Sequence, residues 1–175
     1  MKWIPTLRLA LLAFVLVQIV YFVMAWLVPQ GATIAGVHML MTPKWLEPDA
    51  VAVLAAGPLA VAMLANAPVV LLTAYAAWRL DALLRALQQG ALFAASTIGH
   101  LRAFAGAALG AMVWSVLDTL LRGLAWRAIF GIEGHVRIGV SSEELLAMLV
   151  CLLFFLIAGL MHEGRRLAEE NEGFV

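Results

Sequence analysis

Four apolar runs, each long enough to cross a bilayer and separated by short polar stretches, restrict this chain more than any motif it carries. Leu9 to Val28 contains one strongly polar residue, Gln18, and no charge, and Ala50 to Trp78 contains no charge at all. Ala103 to Leu121 carries one charged residue, Asp118, and Leu145 to Met161 carries none. A helix needs about 20 mostly apolar residues to cross a hydrocarbon core roughly 30 Å thick. The pattern predicts an all-α membrane protein: a four-transmembrane-helix bundle with spans near 9–28, 55–78, 102–122 and 144–161. Composition agrees, with 65% hydrophobic and 13% charged residues and a mean hydropathy of +0.99, beyond the apolar share of water-soluble domains.

Too little chain remains outside the spans for a separate soluble core, so 1–175 is expected to form one membrane domain. A formal charge of zero argues against a nucleic-acid surface, which needs a concentrated basic face. A single Cys151 excludes an intrachain disulfide. Lys2 and Arg8 precede the first apolar run as in a secretory signal. That run is longer than the usual h-region of about 7–15 residues, and no A-x-A site follows Val28, so an uncleaved first helix is expected.

The basic residues set the orientation. Lys2, Arg8, Arg79, Arg85, Arg102, Arg165 and Arg166 fall on one side, against Lys44, Arg122, Arg127 and Arg137 on the other. Seven against four favours cytoplasmic termini, a cytoplasmic loop at 79–101 and tail at 162–175, and outer loops at 29–54 and 123–143. Trp3, Trp26, Trp45, Trp78 and Trp126 lie near span ends, where amphipathic rings prefer to sit.

In the first outer loop, Thr33 to Met41 is apolar between turn formers and reads as a strand on the membrane surface. In the second, Ala128 to Ile132, Glu133-Gly134 and His135 to Val140 read as a β-hairpin. Together they predict a small outer sheet, with two irregular loops as the alternative. Ser141-x-x-Glu144 has capping-box spacing at the start of span four. In the inner loop, Leu80, Leu83, Leu84 and Leu87 follow helical spacing opposite Arg79, Asp81, Arg85, Gln88 and Gln89, predicting an amphipathic cytoplasmic helix at the membrane surface. Asp81 and Arg85 are an i, i+4 pair, Gly90 is a helix stop, and Ser96 is a cap for the next helix. Arg165–Glu169 and Arg166–Glu170 repeat the i, i+4 pattern in the tail.

Polar groups inside spans are where function is sought. Counted from the span midpoints, Gln18, Asn66, Ser115 and Cys151 share one level, predicting a hydrogen-bonded layer that glues the helices. A substrate site is the sharper alternative. Asp118 lies about one turn outward, with Arg122 four residues later. They form either a structural ion pair, with arginine snorkelling outward, or a proton- or ligand-responsive carboxylate. Gly106-x-x-x-Gly110 between Ala103, Ala107 and Ala111 gives span three a smooth face for Ala-rich span two, within one bundle or between copies. Pro58 and Pro68 are expected to kink or break span two.

No catalytic set is visible, so an enzyme is not expected. Metal-binding spacings, a phosphate-binding glycine loop and a nucleophile elbow are all missing from the sequence, and no cofactor is implied.

The stretch RLDALLRALQQGALFAASTIGHLRAFAGAAL resembles the inner loop and third helix of a bacterial four-span inner-membrane family with no assigned activity. Gly90, Phe93, Leu101 and Arg102 occupy that family's Gly, Phe and Leu/Arg-rich places. The ending LAEENEGFV is similar to its acidic close, with Glu170, Asn171 and Val175 in matching places. The resemblance implies a bacterial inner-membrane location and a cytoplasmic partner, a small Cro/CI-like helix-turn-helix regulator. Arg79, Arg85, Gly90, Phe93, Arg102, Glu169, Glu170 and Asn171 are therefore the candidate docking residues. A regulatory membrane protein is the first expectation. A small transporter or channel subunit, oligomeric around Asp118, is the alternative.

Overall fold

A computed structural model describes residues 3–28, 32–34, 37–39, 43, 51, 54–90, 94–131 and 140–172. In chain order these form α1 (Ile4–Leu27), β1 (Ala32–Ile34), β2 (Val37–Met39), α2 (Ala56–Gln88), α3 (Ala95–Phe130) and α4 (Ser142–Glu172). Four of these helices are long and apolar enough to cross a membrane, which makes the chain a multi-pass membrane protein. Their outward surfaces are greasy, with Leu9, Leu12 and Leu16 on α1 and Leu149, Leu153 and Leu160 on α4 all exposed. In water that surface would drive aggregation; in lipid it is the solvated face.

The helices pack in sequence order. The α2–α3 contact is the most extensive, followed by α3–α4 and α1–α2. One apolar cluster joins Leu83, Leu101 and Ala158 from α2, α3 and α4, at the end where Arg8 meets Asp81. The other joins Trp26, Val51 and Ala62, with Trp126 against them. These two regions are termed the Arg8 end and the Trp26 end.

Span three is smooth on two sides, and its glycines serve different neighbours. A Cβ at Gly106 would meet the Phe155 ring of α4 at 3.5 Å, and one at Gly110 would meet Leu72 of α2 at 3.7 Å. The small-residue face is therefore used inside the bundle, letting two helices approach one backbone.

Several expectations are corrected. The amphipathic stretch 79–88 is not a separate surface helix but the unbroken continuation of α2 to Gln88. Continuing the i→i−4 ladder satisfies its backbone at no cost in new caps. Gly90 follows the C-cap Gln89 with φ of 77°, a left-handed stop that favours glycine. Ser96 does not cap α3, whose N-cap is Ala94 with no side-chain bond. Pro58 breaks nothing. It falls in the first turn of α2, where the missing N–H would have had no helical partner. Pro68 is inside α2, which continues through it.

Thr33 to Met41, expected as one strand of an outer sheet, is instead divided between β1 and β2, which pair antiparallel with Ala32 opposite Met39 and Ile34 opposite Val37. Ala128 to Phe130, expected as a strand, is instead the last turn of α3. That helix ends on Gly131 with φ of 63°, whose N–H caps the Arg127 carbonyl at 3.2 Å. Residues 132–139 of the expected hairpin lie outside the described residues.

Candidate functional site

Residues 114, 118, 122 and 126 recur every fourth place on α3, so one stripe of that helix reads Trp114, Asp118, Arg122, Trp126. The stripe faces α2. Trp114 Nε1 donates to the Ala65 carbonyl at 2.8 Å, and Trp126 Nε1 donates to the Pro58 carbonyl at 3.0 Å. Between these two indole anchors, Asn66 Nδ2 donates to Asp118 Oδ2 at 3.2 Å. Arg122 Nη1 approaches the same oxygen at 3.5 Å, the outer limit of a hydrogen bond and still a close ion pair.

Both charges are enclosed, with Asp118 2% and Arg122 3% exposed. The expected outward snorkelling of Arg122 does not occur. Its Cζ lies 5.9 Å from the Trp26 ring and 5.8 Å from the Trp126 ring. Two aromatic faces and a carboxylate thus replace water around the cation, so the side chain need not stretch to the interface.

Beside this pair is a cavity of about 160 Å³ lined by Gln18 from α1, Asn66 from α2, and Ser115 and Asp118 from α3. Trp26, Tyr21 and Pro43 also contribute to its wall. Four of the sequence-selected polar residues therefore line one space, but among the described residues the expected layer is not hydrogen-bonded within itself: Asn66 bonds Asp118, and Ser115 bonds Glu144 or Met112. Cys151 does not belong with them. Ser115 Oγ is 3.0 Å from Glu144 Oε1, and Cys151 lies about 10 Å further along α4 at 1.5 Å per residue. The layer consequently sits level with the first turn of α4, at the margin of its apolar run and not near its middle.

Glu144 was legible only as a capping residue, which it is. Its Oε2 accepts the Ser141 N–H at 2.9 Å, and its own N–H donates to Ser141 Oγ at 3.2 Å. Its second oxygen reaches across to Ser115 of α3. The Ser115 hydroxyl, with one proton, serves either Glu144 or the Met112 carbonyl at 2.9 Å.

The docking candidates are spread over separate surfaces of the Arg8 end. Arg85 pairs with Asp81 at 2.6 Å, and Arg8 takes the other oxygen of Asp81 at 2.6 Å. Arg79 lies over the Tyr75 and Trp78 rings, 5.7 Å from each centroid. Arg102 is exposed. Glu169 pairs with Arg165 at 2.6 Å and Glu170 with Arg166 at 3.3 Å. Asn171 lies in the last turn of α4, and Phe93 lies outside the described residues. Among the described residues, no group of three or more His, Cys, Asp or Glu side chains is placed to hold a metal ion.

Trp26, Trp114, Trp126 and Glu144 are site residues that residue-by-residue reading passed over. The signal available for two of them was the fourfold repeat on α3: indoles flanking an acid and a base on one helical stripe.

Comparison with protein-family models, with curated proteins and with solved structures returned no match.

Proposed function

We propose that this chain is a regulatory membrane protein that holds or releases a soluble partner at its Arg8 end. The observation carrying this proposal is that α2 and α4 both continue past their apolar stretches as charged helix at that same end. α2 reaches Gln88 and α4 reaches Glu172, and the Leu83–Leu101–Ala158 cluster holds their bases together. Such extensions lie outside the apolar runs that fill the bilayer and offer paired acids and bases, which suit a specific, salt-sensitive contact.

The excess of basic residues at this end favours the cytoplasmic side of a bacterial inner membrane. The resemblance of the inner loop and tail supports a small helix-turn-helix regulator as partner. No enzymatic step and no cofactor belong to this proposal. Recovery of a specific protein from detergent by the full chain, lost when 163–175 is deleted or when Arg79 and Arg85 are changed to Gln, is the expected result. Identical recovery by all forms removes it. Reporter fusions at both ends test the orientation.

The polar cavity favours a second function, a subunit of a small transporter or channel. A carboxylate enclosed beside a space of about 160 Å³ is the arrangement that carriers use to bind a proton or cation. Asp118→Asn abolishes proteoliposome flux if that is so. Absent flux in the wild type ends the idea.

A further inference from the structure

Helix α1 lies on α2 along a stripe of partly buried residues, Leu11, Val15 and Gln18 among them, and a groove opens beside that stripe. Near the Arg8 end the Arg8–Asp81 bridge closes the contact, and at the other end Trp26 packs on Ala62, which is 0% exposed. Between these closures Leu11 and Val15 of α1 and Ala74 and Ala77 of α2 line a groove of about 400 Å³, with the exposed Leu12, Leu16 and Ile19 along its lipid-facing rim. Its wall is apolar apart from Asp81. Water gains nothing in such a space, because a buried water needs several polar partners.

Along α1 the cleft runs from Leu11 to Ile19, about 12 Å of helix at 1.5 Å per residue. That approaches the roughly 15 Å depth of one leaflet's hydrocarbon. The shape is that of a slot for a single acyl chain.

The Arg8 end of the cleft is positively charged. Asp81 lines the cleft and is shared by two guanidiniums, Arg8 and Arg85, leaving a net positive charge on the trio. Trp78, also in the wall, carries the Arg79 guanidinium 5.7 Å from its ring. Arg79 Nε has no hydrogen-bond partner among the described residues. Three guanidiniums against one carboxylate therefore gather where the apolar slot ends. Arginine's planar fork matches phosphate oxygens, and basic sites beside spans on the face carrying the positive residues attract acidic headgroups.

We infer that the α1–α2 cleft is a binding site for one anionic phospholipid. Its acyl chain lies against Leu12, Leu16, Ala74 and Ala77, and its phosphate meets Arg79 and Arg85.

The test is lipid retention by the full chain, purified in mild detergent and offered phosphatidylglycerol or phosphatidylcholine of matched acyl chains, read by native mass spectrometry. The wild type is expected to retain one phosphatidylglycerol in preference to phosphatidylcholine. Changing Arg79 and Arg85 to Gln is expected to weaken retention on the order of fivefold for each arginine. Ala74→Phe, which fills the slot and leaves every arginine in place, is expected to abolish it. Equal retention of the two lipids by the wild type overturns the proposal without recourse to any variant. So does competition by glycerol phosphate as effective as that by the intact lipid, because the slot would then contribute nothing.

Discussion

Helices α2 and α3 are pinned to one another by polar anchors and close backbone approach, whereas α1 lies on α2 along a partly buried stripe that is mostly apolar. The pinned pair has Phe130 against Gly57, Trp126 on the Pro58 carbonyl, Trp114 on the Ala65 carbonyl, Asn66 on Asp118, and Leu72 against Gly110. These contacts run from Gly57 to Leu72 of α2, and Leu83 packed with Leu101 continues the pairing toward the Arg8 end. The α1 contact has the Arg8–Asp81 ion pair at one end and Trp26 and Phe22 packed about Ala62 at the other, with a groove of about 400 Å³ beside the seam. In lipid, apolar area alone gives helices little reason to prefer one another over acyl chains. Polar anchors and close approach therefore decide which pairs are firm. By that criterion α2–α3 is the rigid body of this molecule and α1 is the element most easily displaced.

The most forceful way to break that contrast is Asp118→Leu. It removes the carboxylate beside the enclosed Arg122 cation, and loss of one member of a buried pair costs about 3–5 kcal/mol. Unfolding in mixed detergent–SDS micelles measures this; a change near zero would remove the pair as an anchor. Ala62→Leu acts on α1 instead, forcing three extra carbons under Trp26, with overpacking worth roughly 1–3 kcal/mol. It should raise hydrogen exchange in α1 and leave α2 and α3 unchanged. Trp126→Phe keeps a large ring but removes the donor to Pro58, worth roughly 0.6–2 kcal/mol, and should loosen α2 against α3 by the same micelle assay. The smallest effect belongs to Arg8→Gln. That bridge is partly exposed, so its loss costs about 1 kcal/mol or less. Exchange near the start of α1 should rise, and unfolding of the α2–α3 pair should not move.

The spans were legible because the bilayer imposes length and apolarity on any helix that crosses it, and those are one-dimensional properties. The convergence of Gln18, Asn66 and Ser115 followed from depth counting, since one residue per span at one level is also a one-dimensional statement. Depth counting failed for Cys151 because α4 begins deeper than its apolar midpoint suggests, at the level of Ser115. Helix continuation was misjudged at Arg79. A stretch with a polar face lies on a surface or extends a span with equal ease, and the sequence pattern is the same for both. Arg122 was expected to reach for water because only its own helix was in view. The Trp26 ring that makes burial tolerable comes from another span, ninety-six residues earlier in the chain. Likewise the second task of Glu144 depends on which helix passes beside it, which no spacing within its own segment discloses.

The Ser115–Glu144 contact also limits how α4 can move against α3. The Glu144 carboxylate is fastened on one oxygen to its own helix start and on the other to Ser115 of the adjacent helix. Sliding α4 by one turn, about 5.4 Å, would drag Glu143 and Glu144 into hydrocarbon. Piston movement of α4 is thereby blocked in one direction by charge and in the other by its tether. Movement of α4 against α3 is left to tilt and rotation.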